Sequence, residues 1–127
     1  IAATLGQNAS IQIILCPGDF LHLEAAVYGP ETLDFLSRYN ANRAFIGASG
    51  LSAQGISDAN RAAVAIKRKM VAQSRETFLL IDRSKFDRHL VATVEPLEAL
   101  AGIVCDRAPA GVLGDTLAKA GINVQIA

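Results

Sequence analysis

The stretch Arg43–Asn60, RAFIGASGLSAQGISDAN, decides how this chain of 127 residues is organised. It opens with an apolar burst, Ala44-Phe45-Ile46, and continues as glycine-rich polar chain. It ends where Asp58 precedes a long segment with helical periodicity. A buried strand, a flexible connection and a helix are the parts of a β–α unit. In open α/β sheets ligands bind beyond the carboxyl ends of strands, so this connection is a natural place for a site.

The rest of the chain repeats the alternation of apolar strands and amphipathic helices. Strands are predicted at Ser10–Cys16, Arg43–Ala48, Thr77–Asp82, His89–Glu95 (an edge strand), Leu100–Asp106 and Ile122–Ala127, with a weaker extended piece at Leu23–Gly29. Helices are predicted at Gly29–Asn40, Ser57–Glu76 and Ala110–Gly121. The sequence therefore predicts a single α/β domain over residues 1–127, with a mostly parallel sheet and helices on both faces in a Rossmann-like, three-layer arrangement.

The helix that follows the opening stretch has the clearest pattern. Asp58 is its predicted N-cap, and Ala59, Ala63, Ile66 and Met70 recur at helical spacing.

Composition narrows the class of protein. Apolar residues make up 51% of the chain and the formal net charge is zero, which does not favour a nucleic-acid surface. No apolar run approaches the ~20 residues of a membrane span. Cys16 and Cys105 lie in apolar runs and are predicted to be reduced core residues of a cytoplasmic protein. His22 and His89 lack an acid partner or metal spacing and are predicted at the surface. No cofactor or metal is expected.

The first candidate site is the glycine-rich connection itself. Glycine allows backbone N–H groups to face a ligand, and a helix beginning at Asp58 favours anions at its N-terminus. The connection then forms a cradle for a phosphate or carboxylate. The alternative is a plain strand-to-helix connection that needs glycine only for its turns.

The second candidate site follows the next strand. Asp82, Ser84 and Lys85 project from the carboxyl end of a buried strand, where a lysine holds an anionic group as a point charge. The alternative is a solvated charged turn. Lys67, at the border of the apolar helix face, either reaches the same site or belongs to a solvated basic face.

Three segments taken in order resemble the DeoR family of bacterial transcriptional regulators: AFIGASGLSAQGISDAN, AIKRKMVAQSRETFLLIDRSKF and AGINVQIA. The resemblance covers the whole chain and is to the C-terminal effector-sensing domain. It implies an α/β fold similar to ribose-5-phosphate isomerases and CoA transferases, and a small effector, typically a phosphorylated sugar. It also implies a winged helix-turn-helix that reads operator DNA. Neither that domain nor the family's first phosphate loop is expected within this chain.

Two departures from the family pattern bear on chemistry. Ser49 stands where many relatives have an acid, and Ala62, Ala63 and Ala65 stand where many have glutamates. The related isomerases move protons with carboxylates, which serine and alanine cannot replace. The sequence therefore predicts a regulator and not an enzyme.

The resulting hypothesis is a ligand-sensing and oligomerising domain. Ser49, Gly50 and Asp58 form one wall of its pocket, Asp82, Ser84 and Lys85 form another, and Lys67 is a weaker candidate. The expected partners are a small effector, a second copy of the chain, and DNA through the absent N-terminal domain. An isomerase-like enzyme, or a domain that serves only to pair subunits, remains as an alternative.

Overall fold

The computed structural model describes all of residues 1–127, which form an α/β fold built on three sheets. The helices are α1 (Ala2–Leu5), α2 (Pro30–Leu36), α3 (Arg61–Ala72) and α4 (Gly111–Lys119). The strands are β1 (Asp19–Leu21), β2 (Ala26–Tyr28), β3 (Ala41–Ile46), β4 (Gly50–Ser52), β5 (Gly55–Asp58), β6 (Ser74–Ile81), β7 (Ala92–Glu95), β8 (Gly102–Cys105) and β9 (Asn123–Ile126). Short 3-10 turns lie at Arg83–Lys85 and Leu97–Ala99. No helix combines the length and the apolar character that crossing a membrane requires.

The main sheet has four parallel strands in the order β3-β6-β8-β9. The connections from β3 to β6 and from β8 to β9 contain α3 and α4, the expected form of a parallel crossover. The predicted α/β fold with a mostly parallel sheet is confirmed, and so are the strands predicted around Arg43–Ala48, Thr77–Asp82, Leu100–Asp106 and Ile122–Ala127.

One face of this sheet carries the core. Ile46, Leu79 and Ile103 stand in one row across three strands, and each is at most 3% exposed. Val64 of α3 and Leu117 of α4 pack into the same cluster. Burying each such side chain stabilises the fold by about 1.5–3 kcal/mol. Both long helices therefore hold to this face.

The opposite face is apolar and much more open. Phe45 and Phe78 stack there with ring centroids 5.6 Å apart, and Leu80 stands beside them. Phe45 is 55% exposed and Leu80 is 43% exposed.

The opening stretch folds differently from its prediction. Instead of a flexible loop, it forms the β4–β5 hairpin. β5 also pairs with β7, so the three strands form an antiparallel sheet in the order β4-β5-β7. Leu51 and Ile56 face each other in the hairpin and are fully buried. Gly55 has φ +120°, a conformation that other residues rarely adopt, which permits the tight turn. The predicted edge strand at His89–Glu95 is confirmed as β7, at the border of this sheet.

The predicted strand Ser10–Cys16 is wrong: this segment pairs with no other strand. A strand needs a neighbour for its N–H and C=O groups, and an apolar strand needs cover. Neither is present, and Ile14 and Leu15 are 56% and 71% exposed. Cys16 is accordingly half-buried and not in the core, although both cysteines are free as predicted. The extended piece predicted at Leu23–Gly29 contains β2, which pairs with β1.

The predicted N-cap of α3 is also wrong. Asp58 is the last residue of β5 and pairs with Ala92, so its backbone is committed to the sheet. Asn60 caps the helix instead, accepting hydrogen bonds from the N–H groups of Ala62 and Ala63 at 3.0 and 3.3 Å. The predicted helix positions of α2, with Pro30 in its first turn, and of α4 are confirmed.

Candidate functional site

Asp58 is the centre of a buried polar cluster. Its Oδ1 accepts a hydrogen bond from Ser49 Oγ at 3.0 Å and one from the N–H of Asn60 at 3.2 Å. Its Oδ2 accepts one from Lys67 Nζ at 2.5 Å. The Asp58 residue is only 5% exposed. The structure thus brings together three residues predicted for the site: Ser49, Asp58 and Lys67.

The hairpin sets the geometry of this cluster. Ser49 precedes β4 and Asp58 ends β5, and the N–H of Ser49 donates to the carbonyl of Ser57 at 3.2 Å. The antiparallel ladder therefore holds the two side chains side by side. Lys67 reaches them from the second turn of α3, whose start is fixed by Asn60.

Burial and hydrogen bonding shift the pKa of Asp58 in opposite directions. Burial alone would raise this pKa, because the charged form loses its water. Hydrogen bonds from Lys67, the Asn60 backbone and Ser49, together with the Lys67 charge, outweigh burial and lower the pKa below its usual value. Asp58 is therefore an ionised acceptor at neutral pH.

The basic run at the end of α3 is not simply solvated. Lys67, with a side chain 20% exposed, is held by Asp58. Arg68 donates to the backbone carbonyls of Thr93 and Val94 at 2.5 and 3.0 Å, which ties α3 to β7. Both basic residues thus link the helix to the three-stranded sheet.

Sequence reasoning missed three residues that adjoin this cluster: Glu24, Tyr28 and Asn60. Asn60 Nδ2 donates to Glu24 Oε1 at 3.3 Å, and the Tyr28 hydroxyl donates to Glu24 Oε2. Burial first, then the hydrogen bond to Glu24 and the negative charges of Glu24 and Asp58, raise the pKa of Tyr28 to about 12. The only local signal was the position of Asn60 directly before the helix.

The second predicted group occupies a separate, exposed turn. Asp82 accepts a hydrogen bond from the N–H of Ser84 at 2.8 Å, which starts the 3-10 turn. Hydrogen bonding by the Ser84 side chain, and then by its backbone, lowers the pKa of Asp82. The N–H of Arg83 donates to Asp106 Oδ1 at 2.7 Å, so the ends of β6 and β8 are joined.

The segment after this turn packs along the hairpin. Phe86 forms a parallel bridge with Leu51, and the N–H of Leu90 donates to the buried hydroxyl of Ser57 at 3.0 Å. Lys85, directly before Phe86, is half-buried and takes part in none of the four ion pairs. Its charge helps to lower the pKa of the nearby Asp82 and is not neutralised by an ion pair.

Gly50, which was predicted to line the ligand site, is also tightly packed against its neighbours. A Cβ at this position would lie 2.4 Å from the carbonyl oxygen of Arg88 and 2.9 Å from Ser57 Oγ. We expect Gly50→Ala to lower the free energy of unfolding by about 1–3 kcal/mol, the usual range for overpacking. Urea unfolding measures this loss.

Gly47→Ala is the matched control, because its added Cβ meets only the Leu80 carbonyl at 3.8 Å. A loss within about 0.5 kcal/mol is expected there, as for other substitutions that meet no obstacle. Equal losses for the two variants would contradict the packing role of Gly50.

The remaining titratable candidates lie outside the cluster. His22 and His89 are exposed, as predicted. The Cys105 thiol is buried and donates to the carbonyl of Arg107 at 3.1 Å, and burial raises its pKa.

The sequence of this chain is similar to one protein family and to several known proteins. Residues 1–107 match the family described as "DeoR C terminal sensor domain". The HTH-type transcriptional repressor GlcR of Bacillus subtilis is 28% identical over 99% of this chain and 49% of its own length. The glycerol-3-phosphate regulon repressor of Escherichia coli is 27% identical over 86% of the chain and 44% of its own length. The L-fucose operon activator of Haemophilus influenzae is 30% identical over 91% of the chain and 45% of its own length.

The chain spans slightly less than half the length of each of these relatives. All three are transcriptional regulators, which removes the alternative of an isomerase-like enzyme. The family match covers most of the chain, and the parallel α/β sheet agrees with it. The chain belongs to the DeoR C-terminal sensor domain family of transcriptional regulators.

Proposed function

We propose that this domain senses a small anionic polyol or sugar, most simply a phosphorylated one, at the carboxyl edge of the main sheet. The observation that carries the proposal is a half-buried lysine, Lys85, in no ion pair beside a hairpin that carries Ser49 and Asp58. A lysine binds phosphate as a point charge, and a serine–carboxylate pair exchanges hydrogen bonds with hydroxyl groups.

The two groups of residues have different parts in this proposal. Lys85, with Ser84 at the same turn, binds the anionic end of the effector. Ser49 and Asp58 accept hydrogen bonds from its hydroxyl groups, since the Ser49 proton is already donated to the ionised Asp58. Lys67 is already neutralised by Asp58, so it orients that carboxylate and does not bind the anion.

The names of the relatives support this class of effector. One regulon repressor is named for glycerol 3-phosphate, a phosphorylated polyol, and one operon activator is named for the sugar L-fucose. A regulator of this family acts on DNA in the cytoplasm through a separate DNA-reading domain. Effector binding then shifts DNA affinity only if the effector prefers one of two arrangements of a homo-oligomer.

The test is a thermal-shift screen of the native protein that carries this domain, against phosphorylated and unphosphorylated sugars and polyols. A ligand at ~100 times its dissociation constant adds ~2.7 kcal/mol of stability, a shift of a few degrees. We expect a phosphorylated compound to shift the melting temperature and Lys85→Ala to abolish the shift.

Lys119→Ala is the matched control. α4 follows the carboxyl end of β8 and leads to the amino end of β9. The exposed Lys119, its last residue, therefore lies near the amino ends of the strands, away from the proposed site. Its replacement should leave the shift unchanged. If both variants keep the full shift, Lys85 does not bind the anion. If no compound shifts the melting temperature of a protein that still binds its operator, the result favours the alternative that the domain serves only to pair subunits.

A further inference from the structure

Glu24 lies in the turn between β1 and β2 and adjoins the polar cluster around Asp58. Each of its carboxylate oxygens accepts one hydrogen bond, Oε1 from Asn60 Nδ2 at 3.3 Å and Oε2 from the Tyr28 hydroxyl. Asn60 presents its amide nitrogen to Glu24 because its amide oxygen accepts from the N–H groups that start α3. Two positioned donors therefore hold an exposed carboxylate in one place beside the site.

The turn that carries Glu24 has an uncommon backbone conformation. Ala25 has φ +49°, in the left-handed region that residues other than glycine rarely adopt, and its N–H donates to the carbonyl of His22 at 3.3 Å. Such a conformation persists only where the surrounding contacts determine it. The hydrogen bonds of Glu24 with Tyr28 and Asn60 are contacts of that kind.

The charge of Glu24 is not neutralised by an ion pair. Asp58 is paired with Lys67, so those two residues together carry no net charge. Glu24 takes part in none of the four ion pairs, although the exposed Arg61 is the first residue of α3. Tyr28, whose pKa is raised to about 12 by burial and by Glu24, stays protonated at neutral pH. This end of the cluster therefore carries a net negative charge.

The hydrogen-bonding capacity left on these side chains consists of acceptors. The Ser49 hydroxyl donates to Asp58, so only its lone pairs remain. The Tyr28 hydroxyl donates to Glu24 in the same way. A carboxylate accepts about four hydrogen bonds, and two donors occupy that of Glu24. A ligand at this end therefore has to bring donors, such as hydroxyl or ammonium groups.

The hairpin separates this negative end from the positive charge of Lys85. Lys85 adjoins β4 through the bridge that its neighbour Phe86 forms, whereas Glu24 adjoins Asp58 through Asn60. A ligand that contacts the hairpin therefore meets a positive charge on one side and a negative charge on the other.

We propose that Glu24 is a specificity-determining residue of the effector site. It selects a monophosphorylated effector whose far end carries hydroxyl or ammonium groups, and it excludes an effector with a second anionic group there. Tyr28 and Asn60 are positioning residues that hold its carboxylate. The inference rests on the proposed function, since Lys85 binds the phosphate at the other end. Juxtaposed like charges are a common means of rejecting a wrong ligand.

The experiment compares two pairs of compounds that differ only at the end away from the phosphate. Racemic glycerol 3-phosphate is paired with racemic 3-phosphoglycerate, and glucitol 6-phosphate is paired with 6-phosphogluconate. In each pair a terminal hydroxymethyl group is replaced by a carboxylate. Calorimetric titration of the native protein that carries this domain gives the dissociation constants at neutral pH. We expect an alcohol to bind and its acid partner to bind at least about tenfold more weakly.

Glu24→Gln removes the charge and keeps the size of the side chain. We expect it to reduce the tenfold difference between alcohol and acid to about twofold or less, because the acid no longer meets a like charge. Glu98→Gln is the matched control. Glu98 is exposed, is in no ion pair and lies in the 3-10 turn that precedes the amino end of β8. This variant should keep the tenfold difference.

Two outcomes overturn the role of Glu24 and leave the proposed function standing, because a phosphorylated compound still binds. One is an acid that binds the native protein as tightly as its alcohol, a comparison that holds even if Glu24→Gln does not fold. The other is a folded Glu24→Gln that keeps the full difference. A phosphorylated compound that only the melting-temperature screen finds supplies a third pair in the same way. Failure of every phosphorylated compound in both experiments overturns the proposed function and this inference together.

Discussion

Asp58→Ala is expected to lower the free energy of unfolding by about 3–5 kcal/mol, the range for breaking a buried ion pair from one side. The loss arises because Lys67 keeps its charge at a site where its side chain is only 20% exposed. Ser49 Oγ also loses its acceptor. Urea unfolding at neutral pH measures the change.

Asp34→Ala is the matched control, because its ion pair with Arg38 is largely exposed. Exposed pairs contribute about 0–1 kcal/mol, so this variant should stay close to the native stability. Replacing Asp58 and Lys67 together by apolar residues should recover much of the loss, since no buried charge then remains. Equal stabilities for Asp58→Ala and Asp34→Ala would mean that the buried pair contributes no more than the exposed one.

The lowered pKa of Asp58 predicts how the free energy of unfolding depends on pH. Its pKa in the folded state is lowered below the usual 3.8. The stability it contributes is therefore fully present above the unfolded-state pKa and is lost as pH falls through the lower folded-state value. Asp58→Asn should flatten the fall in urea midpoint below about pH 4. An unchanged acid profile in this variant would assign the fall to other carboxyl groups.

Leu51→Ala is the other large effect. Leu51 is fully buried between Ile56 of the hairpin and Phe86 of the following segment. Truncating such a side chain removes buried area and leaves a cavity, so we expect a loss of about 2–5 kcal/mol. Chemical denaturation followed by circular dichroism gives the value.

Leu23→Ala controls for the chemistry of this change, because Leu23 is 88% exposed and should lose no more than about 0.5 kcal/mol. If the hairpin positions the effector groups, Leu51→Ala should also weaken effector binding while the protein is still folded. A loss of stability at Leu51 no greater than at Leu23 would contradict the packing of Leu51 against Phe86.

The main sheet was predictable because its strands have a recognisable local sequence pattern. Thr77–Asp82 and Leu100–Asp106 are continuous apolar runs, which is how strands buried in a parallel sheet read. The β4–β5 hairpin was not, because each of its strands has only three or four residues and several are glycine or serine. Its stability depends on pairing with β7, and Ile56 meets Glu95 only after the chain has folded.

The error at Ser10–Cys16 is of the opposite kind, because a strand was predicted where the structure has none. Its local pattern is that of a strand, but a strand is a property of a pair, and no partner is present in residues 1–127. Sequence pattern reports what a segment prefers and says nothing of whether its neighbour exists.

The candidate site was predictable only in part. Ser49 and Asp58 were expected near each other because they flank one glycine-rich connection. Glu24 meets Asn60 across 36 positions of sequence, a contact that no local pattern encodes. Asp58 and Asn60 are both good N-cap residues, and only the pairing of Asp58 with Ala92 decided between them.

The order of strands in the main sheet has a consequence for synthesis. Because β3, β6, β8 and β9 are neighbours in the order in which the chain runs, each new strand docks on the edge left by the one before it. A nascent chain emerging from the ribosome can therefore extend the sheet one strand at a time, without waiting for its C-terminus. The last strand to arrive, β9, closes no gap between earlier strands, so a chain that is released early loses an edge and keeps its centre.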